Sequence, residues 1–145
     1  MIRIEFPKDK IRTRQQEGLH EIFDTIRKKW LLLTPEEWVR QNFICFLIKK
    51  NYPATLIAVE KEIRVDELRK RCDIVVYNRQ MQPWMIIECK EMNVELSQKT
   101  YEQILRYHIP LGARYLVITN GSYTRCFKKE KDQFVEIDLF PGFEN

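Results

Sequence analysis

Three residues in one short stretch have the types and spacing to do chemistry. In RCDIVVYNRQMQPWMIIECK, residues 71–90, Asp73 opens one apolar run, and Glu88 and Lys90 close the next. Acids and bases are expensive inside strands, because an unpaired buried charge costs several kcal/mol. If the stretch is a hairpin turning between Gln80 and Met81, residues equidistant from that point face one another. Tyr77 then lies opposite Trp84, and Asp73 opposite Glu88. Directly opposed side chains share a face with their Cβ atoms about 5 Å apart. Two carboxylates so placed repel, and something positive must sit beside them. Lys90 supplies one charge. A divalent cation supplies two, and a pair of carboxylates with a backbone carbonyl and water makes an oxygen site of the kind Mg²⁺ takes. The plainer alternative is a salt bridge of Asp73 or Glu88 with Lys90.

These residues need a frame. Strand alternation puts Glu88 and Lys90 on one face with Trp84 and Ile86, and Met85, Ile87 and Cys89 on the other. With both faces apolar, the strand belongs near the middle of a sheet. Upstream, Thr34-Pro35-Glu36-Glu37 starts a helix running to about Lys50, with Thr34 as cap and Glu37 completing a capping box. Residues 55–65 alternate as a strand, and a charged turn covers residues 66–71. Ser97 caps a second helix over residues 98–108, stopped by Pro110 and Gly112. Residues 113–121 read as a buried strand closed by Asn120-Gly121, and the tail as an edge hairpin. The first thirty residues are the hardest to read: residues 1–20 are expected to be an irregular extension, and LHEIFDTI, residues 19–26, fits a strand or a helical turn. The order α-β-β-β-α-β predicts an α/β domain with a mixed central sheet flanked by helices.

At 145 residues the chain reads as a single domain, residues 1–145. With 44% hydrophobic and 32% charged residues it has the composition of an ordinary globular protein. The longest apolar run, FICFLI, is far short of the roughly 18 residues that a membrane span needs. The N-terminus lacks an apolar signal core, so no membrane and a cytoplasmic location are expected. Cys45, Cys72, Cys89 and Cys126 form no CxxC pair and read as reduced, semi-buried residues. The net charge of +4 permits a polyanionic partner without demanding one. Basic residues bunch at positions 27–29, 69–71 and 128–131. His20 and His108 receive no role.

Asp73 followed by IIECK, with Glu88 and Lys90, resembles the PD-(D/E)xK nuclease core. More narrowly, TPEEWVRQNF, RKRCDIVVYN, WMIIECKE, the Gln103–Tyr107 pair and YLVITNG together resemble the N-terminal nuclease domain of type I restriction enzyme R subunits, over residues 22–127. Cys72 stands where the motif's name places Pro. The resemblance implies a restriction-endonuclease-like core and cleavage of DNA phosphodiesters dependent on Mg²⁺, or on Mn²⁺ in its place. By it, Asp73, Glu88 and the main-chain carbonyl of Cys89 hold the metal, and Lys90 orients the attacking water. Gln103 and Tyr107, on one helix face, steady Lys90 or a DNA phosphate. It also suggests a metal-site glutamate on the first helix, Glu37 or Glu36, in competition with the capping role of Glu37. No Walker A sequence occurs, so the chain is expected to act alone, as a homodimer, or with motor and specificity subunits in trans. Two rivals remain: a non-catalytic nucleic-acid-binding module that keeps the nuclease fold, and a scaffold whose charges form only salt bridges.

Overall fold

The computed structural model describes residues 1–7 and 11–143. Of residues 1–20, expected to be irregular, residues 13–16 and 19–20 are in strands. β1 (Thr13–Gln16), β2 (Leu19–Asp24) and β3 (Lys29–Leu32) form a three-stranded antiparallel sheet. The stretch LHEIFDTI thus supplies a strand. β1 is exposed along its whole length, so it carries no hydrophobic period by which to recognise it. Its support is lateral: the guanidinium of Arg14 lies 4.2 Å from the Trp30 ring, and that of Arg12 lies 4.6 Å from the Phe23 ring. Asp24 closes the β2–β3 turn by accepting the N–H groups of Ile26 and Arg27 at 2.8 and 2.9 Å.

The first helix, α1 (Pro35–Lys49), begins where its chemistry dictates. Thr34 accepts the Glu37 N–H at 3.0 Å, and Pro35 occupies the first turn, where a missing N–H costs nothing. Asn51 takes a left-handed φ of 67° just past its end. A six-stranded sheet follows, in the order β4 (Ile57–Val65), β5 (Leu68–Tyr77), β6 (Pro83–Cys89), β7 (Tyr115–Thr119), β8 (Thr124–Glu130) and β9 (Gln133–Ile137). α2 (Gln98–His108) crosses from β6 to β7, which pair in parallel; the other neighbours are antiparallel. The sheet is therefore mixed and the protein α/β. α1 packs Val39, Phe43 and Leu47 against Ile74, Met85, Ile87 and Val117 on one face. α2 packs Tyr101, Ile104 and Leu105 against Val75, Ile86 and Leu116 on the other. No helix among the described residues is long and apolar enough to cross a membrane.

Three local expectations need correction. Residues 68–71 continue β5 rather than forming a turn; the chain reverses at Asp66 and Glu67, where Asp66 has φ 55°. Tyr77 pairs with Pro83, not Trp84, because the ladder shifts by one between Val76 and Tyr77. Trp84 consequently packs with Met85, Ile87 and Cys89, and not with Ile86. Beyond that shift the register is the one read from sequence: Ile74 faces Ile87, Val75 faces Ile86, and Val76 faces Met85.

One irregularity positions the site. Ile57 and Val59 pack on the α1 side, whereas Ile63 and Val65, of the same parity, pack on the α2 side. In β5, Ile74 and Val76 face α1 while Cys72 faces α2. The β4–β5 ribbon turns over at Glu60 and Asp73, between the pairs Val59–Ile74 and Lys61–Cys72, and Glu60 takes φ 49° there. Regular alternation would place Asp73 under α2 with Val75. The reversal instead carries its carboxylate toward α1.

Candidate functional site

The β5–β6 ladder stops at Ile74–Ile87, and Asp73 takes over one residue beyond. Its Oδ2 accepts the Cys89 N–H at 2.7 Å, so a side chain serves where a strand carbonyl otherwise would. Its Oδ1 accepts from Arg40 Nη2 at 3.3 Å. Arg40 is buried on α1, and Glu36, Glu37 and Glu60 surround its guanidinium at 3.1, 2.7 and 3.1 Å. Burial opposes its charge, yet the carboxylates of Glu37 and Asp73 prevail and raise its pKa. Arg27 forms a second knot, reaching Asp24 at 2.6 Å and Glu60 at 3.2 Å.

Glu37 does only half of the expected capping box. Its N–H reaches Thr34, but its carboxylate turns inward: Oε1 accepts from Arg40 and Oε2 from Gln41 Nε2 at 3.1 Å. Glu36 sits at the rim, its pKa raised by burial and by Asp73 against the pull of Arg40 and Lys90. Beside these residues a cleft of about 470 Å³ opens between Leu31, Pro35, Glu60 and Glu91.

Glu88 is buried on the opposite side of β6, facing α2. Its Oε1 lies 2.8 Å from His108 Nε2, and His108 Nδ1 lies 2.8 Å from the Ile104 carbonyl. A carbonyl oxygen only accepts, so Nδ1 carries a hydrogen. One proton must then lie between Nε2 and Glu88, either on an imidazolium beside a carboxylate or on a carboxylic acid beside a neutral ring. Burial raises the Glu88 pKa first; the His108 hydrogen bond counters it, and the Asp73 carboxylate adds to it. That mutual repulsion is what a cation beside both acids relieves, and the donors are hard oxygens that suit Mg²⁺.

Lys90 is half-buried, one residue past β6, and its N–H donates to the Thr119 carbonyl at 2.8 Å. This bond extends the β6–β7 pairing and anchors the Lys90 backbone at the strand ends. Cys89, beneath it, is fully buried, and burial holds its thiol well above the usual range. Gln103 lies on the exposed face of α2. Tyr107 is half-exposed, with the Lys70 ammonium 3.8 Å from its ring centre.

Sequence reasoning missed Arg40 and His108. Signals for both were present. Tyr101, Ile104, Leu105 and His108 recur at helical spacing and mark the buried stripe of α2, which places His108 on the sheet side and Gln103 away from it. Arg40 lies three and four residues after Glu37 and Glu36, the spacing at which helical side chains meet. The basic clusters also need correction. Arg27 is consumed by acids, and Arg71 pairs with Glu60 at 2.8 Å. Lys28, Lys29 and Arg69 remain exposed. All four cysteines are thiols.

A family model described as type I restriction enzyme R protein N terminus matches residues 35–141, from the first turn of α1 to beyond β9. The three-stranded sheet lies outside that span. No curated protein matches the chain.

Proposed function

We propose, since the chain belongs to the family of type I restriction enzyme R protein N termini, that it is a restriction-endonuclease-like domain that hydrolyses DNA phosphodiesters with Mg²⁺. The observation that carries this reading is the meeting of Asp73 and Glu88 at the ends of adjacent strands, with Lys90 next in line and an arginine steadying Asp73. Asp73, Glu88 and the Cys89 carbonyl are the groups to hold the cation, and Glu37 is near enough to the same network to contribute. A divalent cation in such a site lowers the pKa of a water and polarises a phosphoryl oxygen.

The protein's own groups do the rest. Arg40 holds Asp73 in its aim. His108 takes the proton that Glu88 must give up to act as a carboxylate. Lys90 orients the attacking water and offsets the charge growing on the phosphoryl oxygens. Lys28, Lys29 and Arg69 are exposed cations available to track phosphates, so binding is expected to weaken as salt rises. Gln103 and Tyr107 face solvent, a place from which to touch the DNA backbone rather than Lys90. Motor and specificity functions would come from partners in trans, or the chain would act as a homodimer.

One observation favours the rival reading of a binding module without catalysis. Both oxygens of Asp73 are already engaged, by Arg40 and by the Cys89 N–H. Incubation with supercoiled, linear and single-stranded DNA, with Mg²⁺, Mn²⁺ or chelator, separates the two. The nuclease nicks or shortens DNA only with metal. The binding module retards DNA equally with and without metal and leaves it intact.

A further inference from the structure

We infer that Cys72, Glu88 and His108 form a site for a soft divalent cation such as Zn²⁺, distinct in its donors from the hard-oxygen site, and sharing Glu88 with it. One thiol, one carboxylate oxygen and one imidazole nitrogen lie within 4.8 Å of one another. Zinc binds this mixture of S, N and O donors, with Zn–S near 2.3 Å and Zn–N and Zn–O near 2.0–2.2 Å. Tetrahedral geometry with those bonds needs donor spacings of roughly 3.3–3.7 Å. The Nε2–Oε1 separation of 2.8 Å must widen and the longer spacings close, through side-chain shifts on the order of 1 Å.

Three further features suit a metal. His108 already donates Nδ1–H to the Ile104 carbonyl at 2.8 Å, the outer contact by which metal-ligating histidines are oriented. Nε2 therefore points at the site, and the metal takes the place of the proton shared with Glu88. Cys72 gives up only a weak hydrogen bond, Sγ to the Lys70 carbonyl at 3.9 Å, and the metal must displace a thiol proton that burial pushes up to about 12. The Glu88 side chain remains 12% exposed, so water can reach the site as a fourth ligand. The arrangement also depends on the fold: the turnover of the β4–β5 ribbon puts Cys72 in the same layer as Glu88 and α2.

Zinc held by these residues withdraws Glu88 from Asp73, and so inhibits cleavage. The binding stands independently of the nuclease reading; the inhibition rests on it. Titration with Co²⁺ tests the binding directly. Wild type should show a thiolate-to-cobalt charge-transfer band saturating at one equivalent, and Cys72→Ser should lose it. No band in the wild type, or a band that survives in Cys72→Ser, overturns the site. Zinc-edge X-ray absorption on the wild type needs no variant and should report one sulfur at about 2.3 Å; a shell of only nitrogen and oxygen overturns it too. In cleavage assays with Mg²⁺, zinc should stop the wild type and spare Cys72→Ser, which keeps its own activity. Equal inhibition of both discards the regulatory role. A wild type that never cuts DNA sinks the nuclease reading and leaves the cobalt result to decide the metal site.

Discussion

On the α1 side of the β5–β6 end a guanidinium holds Asp73; on the α2 side an imidazole holds Glu88. The two acids come from neighbouring strands but have different keepers. Arginine stays charged at every accessible pH, so Asp73 always faces a cation. The imidazole shares a single proton with Glu88, which can therefore become a carboxylate or remain an acid. One acid of the site has a permanent cation beside it and the other a shared proton, and both keepers are buried.

Removing the fixed keeper should cost most. Arg40→Met leaves Glu37 and Asp73 without their common cation, and breaking a buried ionic network of this kind costs about 3–5 kcal/mol. Urea unfolding measures it. A loss below about 1 kcal/mol would class Arg40 with ordinary surface pairs.

Lys90→Ala tests whether either keeper serves catalysis. It should lower the single-turnover cleavage rate on the order of 10²–10³-fold, the usual cost of one electrostatic donor. Unfolding and Mg²⁺ affinity should be nearly unchanged, because a protonated lysine is not a metal ligand. Wild-type rates in Mg²⁺ would reduce Asp73, Glu88 and Lys90 to a salt-bridge cluster.

His108→Ala should cost less than Arg40→Met, about 1–3 kcal/mol for a buried polar group left without its partner. The reason is that Glu88 can keep the shared proton and remain neutral, whereas Arg40 joins four carboxylates at once. Equal losses in the two variants would erase the contrast between the two keepers.

Asp24 offers a control outside the site. Burial raises its pKa, but the Arg27 N–H, the Arg27 guanidinium and the Ile26 N–H outweigh burial and leave it depressed. A depressed carboxylate stabilises the fold above its unfolded pKa, and the gain disappears as pH falls through the folded value. Asp24→Asn should therefore lose about 1–2 kcal/mol near neutrality, and its deficit relative to wild type should shrink in acid. A deficit that does not change with pH would mean that shape, not charge, sets the role of Asp24.

Local pattern determined a good deal of this protein. Thr34-Pro35 marks the start of α1 because capping involves only neighbouring residues. The facing of Ile74 with Ile87 follows from alternation along two apolar runs and a short connection. The same reasoning placed β6 inside the sheet and singled out Asp73, Glu88 and Lys90. It could not detect β1, which is exposed along its whole length and so has no hydrophobic period.

Only the tertiary structure decided which way the acids face. Strict alternation puts Asp73 beneath α2; the turnover at Glu60 and Asp73 gives it to Arg40 while it still lies beside Glu88, and brings Cys72 to Glu88 as well. The break falls at Glu60, φ 49°, and at Asp73 facing it, and no period within one strand encodes it. The partners of the two acids likewise come from separate helices, Arg40 on α1 and His108 on α2, and they meet only because the helices pack on opposite faces of one sheet. Sequence spacing specifies which side chains share a face of an element, whereas the packing of elements specifies which charge each of them meets.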